Sequence, residues 1–323
     1  MVLEDDQLPD VLFHVLAKDK EKILPEWLKQ NLDKLDYPRN KVHVYMRTNN
    51  NNDKTASILQ NWVYAQNELF HEEQERQWGG ELWKYDWLDI ELNDNDVPEP
   101  VQNFGVHEWN AMRFDVLGAL RQEGIEKAKE LGYHYFVVDV DNFLLPETLR
   151  TLVSASRPVI SPLLRYAVAE GEENHAGYSN YHHPVTDNGY FMNSDEYFSL
   201  LNGLVRGIFP IDLVHCTYLI HPKALPFTNY FDGTQDYEYV RVSRNWRKND
   251  ILQYLDNRKI YGYLTLHENL DAIKHWMGTL KWNLIFLVEN GLEHAGHVAL
   301  NYSRLARASI KCYIQDTHTQ KNV

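Results

Sequence analysis

A chain of 323 residues is long enough for one large or two small domains at the usual ~150 residues each. Its make-up, 44% hydrophobic and 24% charged with 16 Gly and 12 Pro, is that of a globular protein and excludes a low-complexity or collagen-like chain. Acids outnumber Lys and Arg by 46 to 32, a formal charge of -14, which argues against a nucleic-acid partner because such a partner needs a basic face.

Two cysteines, Cys216 and Cys312, cannot build a disulfide framework, which leans the reading toward a reducing compartment. Residues 1–7 are acidic and show no signal peptide, and no stretch approaches the ~18 apolar residues of a membrane span. The default expectation is a cytoplasmic protein. Aromatics are abundant, with 9 Trp and 20 Tyr, and core volume explains them more simply than ring stacking.

In chain order, the apolar run at 11–16 predicts a buried strand and residues 23–35 carry helical spacing. Alternation at 41–46 predicts a second strand, and residues 55–69 return to helix. The polar tract between them, 48–55, offers Asn and Asp caps for the free N–H groups of a first turn. A third strand is expected at 83–92, a loop at 93–104 and a long amphipathic helix at 111–131. The most strand-like segment follows at 133–138, then strands at 157–164 and 213–220 and a helix at 271–290, with a frayed tail from 315. The alternation of strand and helix implies parallel strands with right-handed crossovers in a single α/β domain.

The strand at 133–138 empties into Asp139, Val140 and Asp141. In open α/β sheets ligands bind at the carboxyl ends of strands, so two carboxylates are presented to a crevice. Carboxylate oxygens suit Mn²⁺ or Mg²⁺, which bridge phosphate oxygens. Two chemistries share the motif: a nucleotide-sugar transferase, in which the acids hold a metal on the diphosphate leaving group, and a phosphatase with an aspartyl nucleophile. The phosphatase pattern expects Thr or Val where Phe143 stands and a Gly-Asp-x-x-x-Asp loop, whereas Asp232, Gly233 and Asp236 come in the other order. The plain alternative is two acids capping a turn, since short motifs match often by chance.

The run 120–131 leading into 133–149, then residues 157–164, 177–181, Gly189-Tyr190, 214–220 and 261–263, together with Leu16-Ala17 and 51–55, resembles the N-terminal glycosyltransferase domain of the procollagen galactosyltransferases. The resemblance covers roughly 11–267 in the right order. It implies a GT-A fold, a Rossmann-like mixed sheet flanked by helices, forming a single domain over 1–323. A nucleotide-binding half would span about 10–145 and an acceptor half 146–270, followed by a C-terminal helix and tail at 271–323. The chain departs from the family at Asn49, where an acid is expected, and at the inserted tract 167–175. It also carries neither the second transferase domain nor the secretory signals of the animal relatives.

What the resemblance implies is a hexosyltransferase that uses a UDP-hexose donor, galactose or glucose, with Mn²⁺ or Mg²⁺. Its acceptor would be a protein or glycan hydroxyl, including hydroxylysine or galactosyl-hydroxylysine of a collagen-like protein, and its oligomer, if any, a homodimer. Asp139 and Asp141 would hold the metal, completed by His267. Asp53, Thr55, Arg121, Asp139, Val140, Asp141 and His215 would contact the nucleotide sugar. For His215 a hydrogen-bonded core position is an equal alternative. Asp236 and Glu238 would face the acceptor as catalytic carboxylates, with Asp236 preferred. His182 and His183 read as exposed polar filler, Arg241, Arg244 and Arg247 as a solvated helix face, and Trp78, Trp83, Trp87 and Trp109 as core packing. A catalytically silent sugar- or nucleotide-binding module is the rival from another class.

Overall fold

The computed structural model describes residues 3–76, 87–98, 109–172 and 175–290. Trp78, Trp83, Cys312 and the tail from 291 lie outside the described residues.

The chain begins with β1 (Val11–Ala17), α1 (Leu24–Leu28), β2 (Val42–Thr48), α2 (Thr55–Arg76), β3 (Asp89–Asn93), α3 (Ala111–Leu131) and β4 (His134–Asp139). These strands pair in parallel in the order β3-β2-β1-β4, as the strand-helix alternation requires. The helix expected at 23–35 is divided, with one α-helical stretch followed by a π-helical turn at Lys29–Asp33. Of the strand expected at 83–92, residues 83–86 are not described, Trp87 and Leu88 lie outside the strand and 89–92 belong to β3.

The second half supplies β5 (Asn142–Leu144), α4 (Thr148–Ala155), β6 (Val159–Pro162), β7 (Leu164–Tyr166), β8 (Tyr181–His182), α5 (Asp195–Leu201), β9 (Ile208–Ile211), β10 (Leu213–Val214), β11 (Thr217–Ile220), α6 (Glu238–Lys248), β12 (Gln253–Asp256), β13 (Gly262–Leu264) and α7 (Leu270–Asn290). Strand β11 lies antiparallel to β4 and extends the sheet through β6, β12 and β9. One mixed sheet therefore runs through both halves, the GT-A arrangement. A small sheet, β5-β13-β7, sits just beyond the end of β4.

Two expected strands are broken. The segment 157–164 divides into β6 and β7 at Leu163, and 213–220 divides into β10 and β11 at His215-Cys216. Cys216 takes φ 63°, a left-handed conformation that β pairing does not use and that non-glycine residues adopt rarely. The break leaves β10 paired with β8 and β11 with β4, so the kink opens beside the acidic turn.

Apolar side chains fill both faces of the sheet, Phe13, Val44, Phe136 and Trp27 on one, Tyr135, Val137, Tyr218 and Trp246 on the other. Helix α3 presses on the second face at Gly124, where a Cβ would lie 2.3 Å from His14 Nδ1 and 2.8 Å from the Tyr135 ring. Its N-terminus is capped by Asn110, whose side chain accepts the Arg113 N–H, and it ends at Gly132 with φ 71°. This close approach sets Arg121, one turn before Gly124, over the end of β4.

Candidate active site

Asp139 closes β4, and Val140 and Asp141 form the turn into β5. The turn is tied down from several sides. The Asp139 N–H donates to the Cys216 carbonyl at 3.0 Å, Trp27 Nε1 donates to the Asp139 carbonyl at 3.1 Å, and the Thr265 N–H donates to the Asp141 carbonyl at 3.0 Å. Val140 is buried. Asn142 donates to Thr217 Oγ1 at 2.7 Å, and its carbonyl accepts from Asn31 at 2.8 Å. The two carboxylates thus stand on a backbone with little freedom.

Arg121 Nη2 donates to both oxygens of Asp139, at 2.9 and 3.1 Å, and its Nε lies 3.6 Å from Glu238 Oε1. Arg121 and Glu238 are both buried, while Asp139 keeps 23% of its side-chain surface. Burial pushes the Glu238 carboxyl up and the Arg121 charge opposes it. Asp141 is pushed up to about 6, by burial first and by the Asp139 charge after it, against the pull of Lys20. Its Oδ1 is buried without a hydrogen-bond partner, as is Arg121 Nη1.

The loops after β1, β2 and β13 converge on this turn. Burial opposes the Lys20 charge, yet Asp141 and Glu268 together raise its pKa, and Lys20 Nζ lies 3.0 Å from Glu268 Oε1. Asp53 accepts the Thr55 N–H at 2.9 Å and the Glu21 N–H at 3.0 Å, and Thr55 Oγ1 accepts the Lys20 N–H at 2.6 Å. Asp53 and Thr55 therefore clamp the β1 loop to the start of α2. His267 follows Thr265, whose N–H holds the Asp141 carbonyl, and its ring lies 5.4 Å from that of His175. Among the described residues, the one trio with ligand atoms all within 4.8 Å of one another is His43, Asp89 and Glu91. It lies at the opposite ends of the strands, since His43 pairs with Leu12 whereas Asp139 pairs with Leu16.

The two later acids occupy different surroundings. Asp236 accepts from Tyr190 Oη at 2.5 Å and from Arg244 Nη2 at 2.5 Å; burial raises its pKa, but the Tyr190 and Arg244 hydrogen bonds outweigh it and keep the carboxyl below the usual range. Glu238 opens α6 and faces Arg121. Arg241, expected on a solvated face, is instead buried with Nη1 on Asp115 at 2.5 Å, and Arg244 clasps Asp232 and Asp236. Trp87 packs against Trp62, whereas Trp109 is 48% exposed and stacks on Phe114, which in turn meets Tyr237 at 4.1 Å.

His215 lies in the kink, 3% exposed, with Nδ1 2.8 Å from Cys216 Sγ and its ring near Tyr178, His182 and Tyr239. His182, expected as surface filler, is a half-buried partner of this group. Sequence reasoning passed over Lys20, Glu268, Trp27 and Tyr239, none of which stands in a motif that the chain displays.

A sequence profile described as glycosyltransferase family 25, N-terminal domain, matches residues 8–277. Procollagen galactosyltransferase 1-A of Xenopus laevis is 30% identical over 266 residues, 79% of this chain and 39% of that protein. Procollagen galactosyltransferase 2 of Homo sapiens is 29% identical over 287 residues, 83% of this chain and 42% of that one. A Mus musculus protein named inactive glycosyltransferase 25 family member 3 is 30% identical over 285 residues, 83% of this chain and 43% of that protein. The chain thus spans about two fifths of the length of these relatives. Among solved structures, S. aureus TarS 1-349 in complex with UDP-GlcNAc aligns at a TM-score of 0.46 with 13% identity, covering 93% of this chain and 71% of that one.

Proposed function

Because this chain belongs to glycosyltransferase family 25, we propose that it transfers a hexose, galactose or glucose, from a UDP-sugar to a hydroxyl acceptor. The names of its relatives point to a procollagen-like acceptor, in which hydroxylysine or galactosyl-hydroxylysine would supply the hydroxyl. The observation that carries the reading is the Asp139-Asp141 turn at the end of β4, where a fixed backbone holds two carboxylates beside a buried arginine and one carboxylate oxygen has no partner.

Asp139 and Asp141 would hold Mn²⁺ or Mg²⁺, with His267 as third ligand from the β13 loop. The unpartnered Asp141 Oδ1 fits this role, because a buried carboxylate is stabilised by a cation. Such an ion, when bound, stabilises charge on the departing diphosphate. Arg121 fixes the Asp139 carboxylate and, with Lys20, adds positive charge at the same edge. Val140 fixes the turn, and Asp53 and Thr55 shape the loops that would border the nucleotide.

An acceptor hydroxyl is a weak nucleophile at neutral pH and gains from a nearby carboxylate. Glu238, one residue contact from Asp139 through Arg121, and Asp236, on the Tyr190 and Tyr237 side, are the two candidates. Trp109, exposed and backed by the buried Phe114 with Tyr237 beside it, offers a ring face for a sugar or peptide acceptor. A silent binding module is the second reading, favoured by the inactive relatives, and the intact acid pair speaks against it. The test is a screen of UDP-sugars with Mn²⁺, with and without a hydroxylysine peptide, scored by UDP release. UDP release from UDP-galactose or UDP-glucose supports transfer; binding of UDP without release from any donor supports the silent module.

A further inference from the structure

Buried polar atoms nearly always have hydrogen-bond partners, so a buried orphan facing charged groups marks a place where a ligand would supply the bond. His43 Nε2 is such an atom, on a residue only 5% exposed. Strand pairing brings two carboxylates to it. In the parallel register His43 stands opposite Asp89 and Tyr45 opposite Glu91, and side chains two apart share a face, so the three residues meet on one face of the β2-β3 edge. The nitrogen lies 3.4 Å from Asp89 Oδ2 and 3.8 Å from Glu91 Oε2, both longer than a hydrogen bond. One ligand atom from each residue falls within 4.8 Å of the other two.

We propose that His43, Asp89 and Glu91 bind one Zn²⁺ ion, which clips β3, the last strand of the sheet among the described residues, to β2 at a site separate from the transfer centre. Spacing supports it. Ligand atoms on a tetrahedral ion with bonds of about 2.1 Å stand about 3.4 Å apart. The His43-Asp89 pair already has that separation, and Glu91 closes the remainder by turning a side chain that is 40% exposed. The donor set, one imidazole nitrogen and two carboxylates, suits Zn²⁺, whereas Mg²⁺ and Ca²⁺ prefer oxygen alone and Mn²⁺ binds such a set more weakly. Burial keeps the ring in the neutral form that a metal takes, against the pull of Asp89 and Glu91. With Asp89 59% exposed, water can fill the fourth position.

Lys127 of α3 is the competitor for Glu91. Its Nζ lies 2.6 Å from the same Oε2 and 5.2 Å from the centre of the Tyr45 ring. An ion pair this open to solvent is worth little, and the ammonium keeps its place over Tyr45 when Glu91 turns to the ion. The acidic turn is too distant to share the metal. His43 pairs with Leu12 and Asp139 with Leu16, four residues further along β1, about 13 Å at the rise of a parallel strand.

The test is calorimetric titration of Zn²⁺ into metal-stripped protein without an affinity tag, both in the wild type and in an Asp139→Asn/Asp141→Asn background that removes the acidic turn, with thermal melting as the check on folding. The background should still bind one Zn²⁺. Adding His43→Gln, Asp89→Asn or Glu91→Gln should weaken that binding by at least the ~10- to 100-fold that loss of an outer partner costs a metal site. In the wild type each of these changes should remove one equivalent of Zn²⁺. Lys127→Gln, which frees Glu91, should tighten the site by about 1.5- to 5-fold, the worth of an exposed ion pair. Asp89 and Glu91 reach solvent, so their variants decide the matter if His43→Gln does not fold. Zn²⁺ binding that is unchanged in folded Asp89→Asn and Glu91→Gln, or that vanishes with Asp139 and Asp141 alone, overturns the site.

Discussion

Arg121 Nη2 grips both oxygens of Asp139, at 2.9 and 3.1 Å, while its Nε stands 3.6 Å from Glu238 Oε1, so one buried cation joins the first acid of the motif to the first residue of α6. Removing one partner of a buried ion pair typically costs about 3–5 kcal/mol because the other charge is left uncompensated. Arg121→Ala should therefore lower stability by that order in denaturant unfolding, and the Arg121→Ala/Glu238→Gln double variant should recover part of the loss. Strictly additive losses would mean that Glu238 and Arg121 act independently.

Asp141 carries the opposite expectation. Its buried Oδ1 has no partner and burial disfavours the ionised form, so the metal-free protein holds a carboxylate it would be more stable without. Asp141→Asn should melt at or above the wild-type temperature in EDTA at pH 7.5, yet lose the rise in Tm that Mn²⁺ gives the wild type. A lower Tm in EDTA would assign the carboxylate a structural role.

For the base, the surroundings now favour Glu238 over Asp236. Asp236 is committed to Tyr190 and Arg244, which keep it a weak base, while burial makes Glu238 a stronger one next to Asp139. Glu238→Gln should lower kcat by ~10²-fold or more if it takes the proton. Asp236→Asn should act mainly on acceptor KM by loosening the Asp232-Arg244-Asp236 group. The reverse pattern in steady-state kinetics would restore Asp236 as the base.

A pH effect is expected away from the centre. The hydrogen bond to Asp212 raises the pKa of His183, and the same bond lowers that of Asp212. A raised histidine contributes stability that is full below its ordinary pKa near 6.5 and lost as pH rises through the folded value. The depressed Asp212 contributes stability above its ordinary pKa near 3.8 and loses it in stronger acid. The difference in Tm between wild type and His183→Leu should thus be larger at pH 5.5 than at pH 8.5, and a difference independent of pH would contradict the pairing.

Much of the first half was legible in the chain because periodicity is local: β1, β2 and β4 follow the apolar runs and alternation, and α3 the helical spacing. Broken strands were not legible. A continuous apolar run at 213–220 gives no sign that Cys216 adopts φ 63°, since that conformation is imposed by β10 and β11 pairing with different strands. The acids of the motif could be read directly. Their supports could not, because Lys20, Trp27, Thr265 and Glu268 reach the turn from segments far apart in sequence. The same limit misplaced Arg241, whose spacing with Arg244 and Arg247 looks solvated while its side chain is enclosed by tertiary packing.

The most direct test of the central claim is release of UDP from UDP-galactose and UDP-glucose by the wild-type protein and by Asp139→Asn, with Mn²⁺ and in EDTA. The account predicts turnover by the wild type that EDTA abolishes and that the variant reduces by ~10²-fold or more, with its melting curve showing a folded protein. Full turnover in EDTA, or in folded Asp139→Asn, would contradict it.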